Sequence, residues 1–216
     1  MKPSMRPADV DVIGKTTEYD GYFHINRYRL KHRHFDGGWG DEISREIFER
    51  GHAAAVLMYD PELDRLVMIE QFRAGAYAAL SSPWFEDDDS PWLIEIVAGI
   101  IEDGENPEDV VRREAVEEAN CQLSDIVPIC HYLVSPGGSS ESMFLFCGRV
   151  DSSNAGGVHG MAGEGENIRA FTIGVDDAFA LMDEGRIANS MTLIPLQWLR
   201  MNREGLRAKW LGGGDE

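Results

Sequence analysis

Cysteine is scarce in this sequence: Cys121, Cys130 and Cys147 are the three it has in 216 residues. So few thiols, at those spacings, exclude a disulfide framework and a zinc site, and they point to a reducing, cytoplasmic setting. Cations are scarce too. Lys and Arg number 20 against 38 Asp and Glu, a formal charge of -18. A chain this acidic is expected to bind neither nucleic acid nor an anionic membrane, both of which need basic patches. Long apolar runs are missing: Leu93–Ile101 is interrupted by Glu95 and is too short to span a bilayer. Met1–Asp11 is polar and carries prolines, so no signal peptide is expected there. No internal repeat is present. What remains is one sizeable domain, with room for a small appendage. A polyanionic small-molecule substrate would need local basic residues together with a metal ion.

Residues 1–17 read as a weakly ordered start. Between Gly21 and His34 aromatics and bases partly alternate, which fits strands of a small antiparallel sheet, and Asp36-Gly37-Gly38 reads as a turn. Ile43–Arg50 suits a strand better than a helix, because Ile43 and Ile47 lead into the apolar run Ala53–Tyr59, itself a buried strand. Asp60-Pro61 turns the chain into a further strand over Arg65–Arg73, making a hairpin. Ser81–Pro91 is a loop by its Pro, Ser and Asp content. Strands are expected over Trp92–Val97, Ile126–Val134, Met143–Val150 and Ile168–Ile173. The glycine-rich residues 152–167 should form a mobile loop. Asp176 or Asp177 is expected to cap one helix and Asn189 a last one, with Pro195 kinking that helix or delaying its start. Leu211–Glu216 reads as a frayed tail. Many strands with a few helices make an α+β pattern.

The most informative stretch is Gly99–Cys121, GIIEDGENPEDVVRREAVEEANC. It turns through acidic residues and becomes helical from Pro107, a residue suited to a first helical turn. Glu114, Glu117 and Glu118 follow at spacings of three and four, which stacks them on one helical face. Like charges so placed repel one another, and their oxygens are the hard ligands that Mg²⁺ or Mn²⁺ prefer. A solvated acidic face is the alternative. Arg113 stands beside Glu114, and Glu105 in the preceding loop is placed to pair with it and pin loop to helix.

The spacing of Gly99, Glu105, Arg113, Glu114, Ala115, Glu117, Glu118, Asn120 and Cys121 resembles the signature of the Nudix hydrolase family, with Asn120 standing where that pattern has glycine. Asparagine is the next-best residue for a left-handed helix end. Flanking segments resemble the ADP-ribose pyrophosphatases within that family: Arg45–Val56, Ile69–Arg73, Ser135–Glu141, Gly156–Arg169 and Ala180–Ser190. The resemblance implies an α/β/α sandwich on a mixed sheet, residues 49–216, plus a small N-terminal antiparallel sheet, residues 1–48. It implies a homodimer whose N-terminal sheet swaps onto the partner, and hydrolysis of ADP-ribose to AMP and ribose 5-phosphate. Another nucleoside diphosphate sugar such as GDP-mannose, or a sensor that binds without cleaving, is the alternative. By the same resemblance Tyr22, Phe23, Arg45, Glu46, Arg50, Arg73, Ile100, Ser135 and Glu141 contact substrate. The Ala98 carbonyl, Glu114, Glu118 and Glu166 are expected to hold metal. Glu117 and Glu164 are expected to be catalytic, Glu164 as general base.

Overall fold

The computed structural model describes residues 4–86, 88–161, 163 and 165–212. The chain divides into two compact units, Met1–His52 with Leu133–Ser142, and Ala53–Tyr132 with Met143–Glu216. The division thus falls a few residues beyond the expected 48/49 boundary, and a short later segment joins the first unit.

The first unit is an antiparallel sheet of β1 (Val10–Asp20), β2 (His24–His32) and β3 (Ile43–Glu49), in that order. The expectation of a weakly ordered start is corrected here, since β1 begins at Val10. Its residues are exposed apart from partly covered Gly14, so no alternation of apolar and polar positions betrays it. It is held by its backbone ladder to β2, from Val10 opposite His32 to Asp20 opposite His24. The Ser135–Ser140 turn reaches the end of β3: Phe48 N–H donates to the Gly138 carbonyl at 2.9 Å, and Ser140 N–H to that of Phe48 at 3.2 Å.

The second unit is built on a mixed sheet. Its strands are β4 (Ala53–Asp60), β5 (Arg65–Phe72), β6 (Trp92–Glu95), β7 (Val97–Ile100), β8 (Asp125–Leu133), β9 (Ser142–Arg149), β10 (Gly157–His159) and β11 (Ile168–Gly174). The order is β10-β11-β5-β4-β9-β8, with β6 paired to β5 and β7 to β4. β4 and β9 run parallel, while β4 and β5 form the expected antiparallel hairpin. That hairpin pairs only near its turn, from Met58–Val67 to Asp60–Arg65. Beyond it β7 takes over the edge of β4, and β6 the edge of β5. The single strand expected at Trp92–Val97 is therefore two, broken at Ile96, because each half pairs with a different side of the splayed hairpin.

Every residue of β4 is buried because both sheet faces are covered. Ala53, Ala55, Leu57 and Tyr59 pack with Val175, Phe179 and Met182 of α3 (Val175–Asp183) and Leu196, Leu199 and Trp210 of α4 (Ser190–Leu211). Ala54, Val56 and Met58 pack on the opposite face with Val110, Val111, Ala115 and Ala119 of α2 (Pro107–Ala119). This is the α/β/α layering expected of the larger domain. α1 (Ala74–Ala79) has no buried residue and left no apolar stripe to find. β10 lies inside the glycine-rich stretch read as loop. Gly174 occupies the cap position of α3, and Asp176 and Asp177 sit in its first turn, where carboxylates favour the helix dipole. Asn189 caps α4 as expected, accepting from Thr192 N–H at 2.9 Å. The helix starts at Ser190, ahead of Pro195, so the proline does not delay it, and Leu211 is still helical. No helix among the described residues is long and apolar enough to cross a membrane.

Candidate functional site

The carboxylate helix α2 is fixed at both ends by its own sequence. Asn106 caps the start, its Oδ1 accepting from Glu108 N–H at 3.1 Å, and Pro107 opens the first turn. Asn120 ends it in the left-handed region at φ 52°, the conformation anticipated for the residue replacing glycine. Cys121 N–H donates to Ala115 O at 2.9 Å and Asn120 N–H to Val116 O at 3.0 Å, so the helix closes on its own carbonyls.

The three glutamates are not equivalent. Glu118 is buried and accepts the Ala98 N–H at 3.2 Å. Glu114, one turn earlier, lies over Gly99, where a Cβ would stand 1.9 Å from its Oε1. Glu117 is exposed. Arg113 draws them together with the loop: it donates to Glu114 at 2.7 Å and Glu117 at 3.3 Å, and pairs with Glu105 at 3.5 Å. Glu105 also accepts Glu102 N–H at 2.9 Å, so loop and helix are tied as the sequence suggested. Burial pushes the Glu118 carboxyl up to about 8, against the pull of the Ala98 hydrogen bond, with Glu114 and Glu166 adding repulsion. Burial also raises Glu114, opposed by Arg113.

Glu166 folds back on its own loop, its carboxylate accepting Met161 N–H at 3.1 Å. Glu164 lies outside the described residues. Ile100, at the end of β7, is exposed and pairs with Ala53. Arg73 follows β5 and donates its Nε–H to Glu95 at 2.7 Å. Its partner Glu95 was not singled out from the sequence. A carboxylate inside the otherwise apolar WLIEIVAGI was the available signal, because a buried charge demands a partner.

In the first unit the structure brings Phe23, Arg50 and Glu141 together. The Tyr22 and Phe23 rings meet edge to face at 4.7 Å, and Phe23 meets Phe48 at 5.0 Å. Arg50 lies over the Phe23 ring and pairs with the buried Glu141 at 3.5 Å. Tyr22 is 83 % exposed, so its ring is free to stack. Ser135 forms the turn, its carbonyl accepting from Gly138 and Ser139. Arg45 and Glu46 are neighbours on β3 and so project to opposite faces. Glu46 pairs with Arg27 at 2.9 Å, while Arg45 donates to the Ser44 carbonyl at 2.8 Å. Phe48 was not anticipated; its place two residues from Glu46 on the same strand face was the clue.

Among the described residues no three His, Cys, Asp or Glu side chains are gathered as they stand in a way that could hold a metal ion. The donor chemistry nevertheless fits one. Two inward carboxylates with raised affinities for protons lack a full countercharge. Because the Ala98 N–H points to Glu118, the carbonyl of that residue projects along the same strand edge. Hard oxygens of this kind suit a divalent cation.

Residues 49–190 match the family model of the NUDIX domain, and the chain belongs to the Nudix family. Across 97 % of its length it is 42 % identical to the ADP-ribose pyrophosphatase of Escherichia coli K12, covering 99 % of that protein. It is 41 % identical to the ADP-ribose pyrophosphatase of Haemophilus influenzae, over 94 % of this chain and 91 % of the relative. A GDP-mannose pyrophosphatase of Pectobacterium atrosepticum is 29 % identical over 88 % of this chain and 93 % of its own.

Proposed function

We propose that the protein is a divalent-metal-dependent Nudix pyrophosphohydrolase that splits ADP-ribose into AMP and ribose 5-phosphate. The observation that carries this is the similarity along nearly the whole chain to proteins of that name, both units included. The lower identity to GDP-mannose pyrophosphatases keeps other nucleoside diphosphate sugars as the second choice.

Water adds to one phosphorus, the P–O–P bridge breaks, and the water proton passes to Glu164. Ala98 O, Glu114, Glu118 and Glu166 would hold Mg²⁺ or Mn²⁺, which when bound supplies charge neutralisation at the phosphates. Glu117, exposed beside them, is the second catalytic carboxylate with Glu164. Arg113 and Glu105 are scaffold. Arg50 and Arg73 fork onto phosphate oxygens. Tyr22 and Phe23 stack on the adenine, Arg45 joins the two other arginines at the phosphates, and Glu46 accepts from the adenine amino group or a ribose hydroxyl. Ser135 and Glu141 hold the terminal ribose hydroxyls, and Ile100 lines the substrate.

The N-terminal β subdomain, residues 1–48, serves association and substrate binding, and residues 49–216 serve hydrolysis. The protein acts as a homodimer in which that N-terminal sheet is exchanged. The unaccompanied exposure of Val10, Val12, Ile13 and Tyr19 on β1 supports a partner there. Three free cysteines fit a cytoplasmic setting. Incubation with Mg²⁺ and either ADP-ribose or GDP-mannose, with the products resolved by chromatography, tests the assignment. AMP and ribose 5-phosphate are expected. Binding of ADP-ribose without turnover makes the protein a sensor instead, and faster cleavage of GDP-mannose moves the substrate.

A further inference from the structure

Glu95 is 3 % exposed at the end of β6, among apolar neighbours. One oxygen, Oε2, takes both contacts it makes: Arg73 Nε–H at 2.7 Å and Gln71 Nε2 at 3.3 Å. The β5–β6 register explains the meeting. Ile69 stands opposite Glu95, and Ile69, Gln71 and Arg73 share one face of the strand by period two. That face is the one covered by α2, since Ile69 packs with Val111 and Ala115. Gln71 is itself buried, so the carboxylate is gripped from a fixed direction.

The grip is on the side of the guanidinium, not its end. Among the described residues no protein group takes the two Nη nitrogens of Arg73, whose side chain is 41 % exposed. A buried ion pair is weak as a stabilising device, since an apolar pair of the same volume commonly does as well. What an Nε clamp does is hold the guanidinium plane in one orientation. The two Nη–H groups then present a preset fork, and phosphate oxygens are the acceptors that fit it.

We propose that Glu95, steadied by Gln71, is a positioning residue that holds the Arg73 fork in register for a phosphate of the nucleoside diphosphate substrate. The proposal rests on the phosphate-binding role given to Arg73 above. It is tested by a double-mutant cycle of Glu95→Ala and Arg73→Ala, with Glu95→Gln as the conservative variant. Each is measured for kcat and KM on a panel of nucleoside diphosphate sugars, for calorimetric affinity towards a methylene-bridged ADP-ribose analogue, and for Tm. Glu95→Ala is expected to lower kcat/KM and affinity about a hundredfold, the scale of a misplaced binding group. Arg73→Ala should lose a similar amount, and the double variant no more than either single one. Glu95→Gln keeps an acceptor for the Nε–H and should recover most of the loss, which also covers the case in which the alanine variant does not fold. Losses that add in the double variant, or a lowered Tm with unchanged kcat/KM and affinity, overturn the proposal; with no substrate cleaved the function reading fails and the cycle is decided on the analogue affinities. If a substrate other than ADP-ribose is cleaved, the substrate assignment fails while the cycle, run on that substrate, still decides the role of Glu95.

Discussion

Gly99 and Glu114 occupy one another's space: a Cβ on Gly99 would stand 1.9 Å from the Glu114 Oε1 and 2.5 Å from its Cγ. Glycine at the start of the signature is thus a steric requirement of a carboxylate fifteen positions later, not of a turn. Gly99→Ala should push Glu114 aside. Because that side chain can swing, the stability loss should be about 1 kcal/mol, the low end for overpacking. The displaced carboxylate should cost about a hundredfold in kcat. Thermal unfolding and steady-state kinetics measured together check this, and a normal kcat in the folded variant would show that Glu114 need not lie where it does.

The parts legible in the sequence are those fixed by local chemistry. Asn106, Pro107 and Asn120 mark the ends of α2 because caps and left-handed ends are set by the residues themselves. The apolar run of β4 reveals its burial on two faces. β1 was not legible, since its exposed side chains carry no pattern and its partner lies across a turn. The break at Ile96 was hidden because it depends on how far the β4–β5 hairpin splays. At the site, Arg113 with Glu105 could be read from spacing. Arg73 with Glu95 could not, because strand register alone brings them together.

The turn between β4 and β5 is tied to α4 by an acid-sensitive cluster. Asp64 accepts from Tyr59 OH at 2.7 Å and Arg203 Nε at 3.1 Å. The Arg203 guanidinium holds the Asp64 carboxyl below its ordinary 3.8, more than offsetting burial. A carboxylate depressed on folding contributes stability above its unfolded value, and that contribution is lost as the pH falls through the folded one. Asp64→Asn should therefore destabilise the protein at pH 7 by about 1–3 kcal/mol, the scale of hydrogen bonds to a charged group. The gap from wild type should close at acid pH, as the carboxylate protonates through that depressed value. Asparagine tolerates the φ of 56° at this position, so the backbone is not disturbed. Urea titrations at pH 7 and at acid pH check it; an equal gap at each would mean that the charge contributes nothing.

Metal dependence should follow from the inward pair on α2. Treatment with EDTA is expected to abolish turnover, and Mg²⁺ or Mn²⁺ to restore it. Glu118→Gln keeps the shape and an acceptor for the Ala98 N–H while removing a buried charge. It should leave the Tm at or above that of the wild type at pH 8, because an ionised carboxylate there is costly to bury. Metal affinity and kcat should both drop. Full activity in metal-free buffer, or wild-type rates of Glu118→Gln at low Mg²⁺, would remove the assignment.

The general base should be a carboxylate that the cation does not occupy, because metal ligation lowers proton affinity and makes a poor acceptor. With Glu114 and Glu118 proposed as metal ligands, the loop glutamates are left. Glu166 has its carboxylate on Met161 N–H, close enough to Glu114 and Glu118 to raise both. That suits a metal-contacting or positioning role, and Glu164, two residues earlier, is assigned the proton. Gly160 at φ 103° and Gly165 at φ 73° adopt backbone conformations that other residues resist, so they shape the loop on either side. Glu164→Gln should lower kcat about a hundredfold or more with KM little changed, the scale of lost general base catalysis. Glu166→Gln should instead shift the Mg²⁺ concentration needed for half-maximal rate. A near-normal kcat in Glu164→Gln beside a dead Glu166→Gln would reverse the two roles, and two active variants would place the base on another residue.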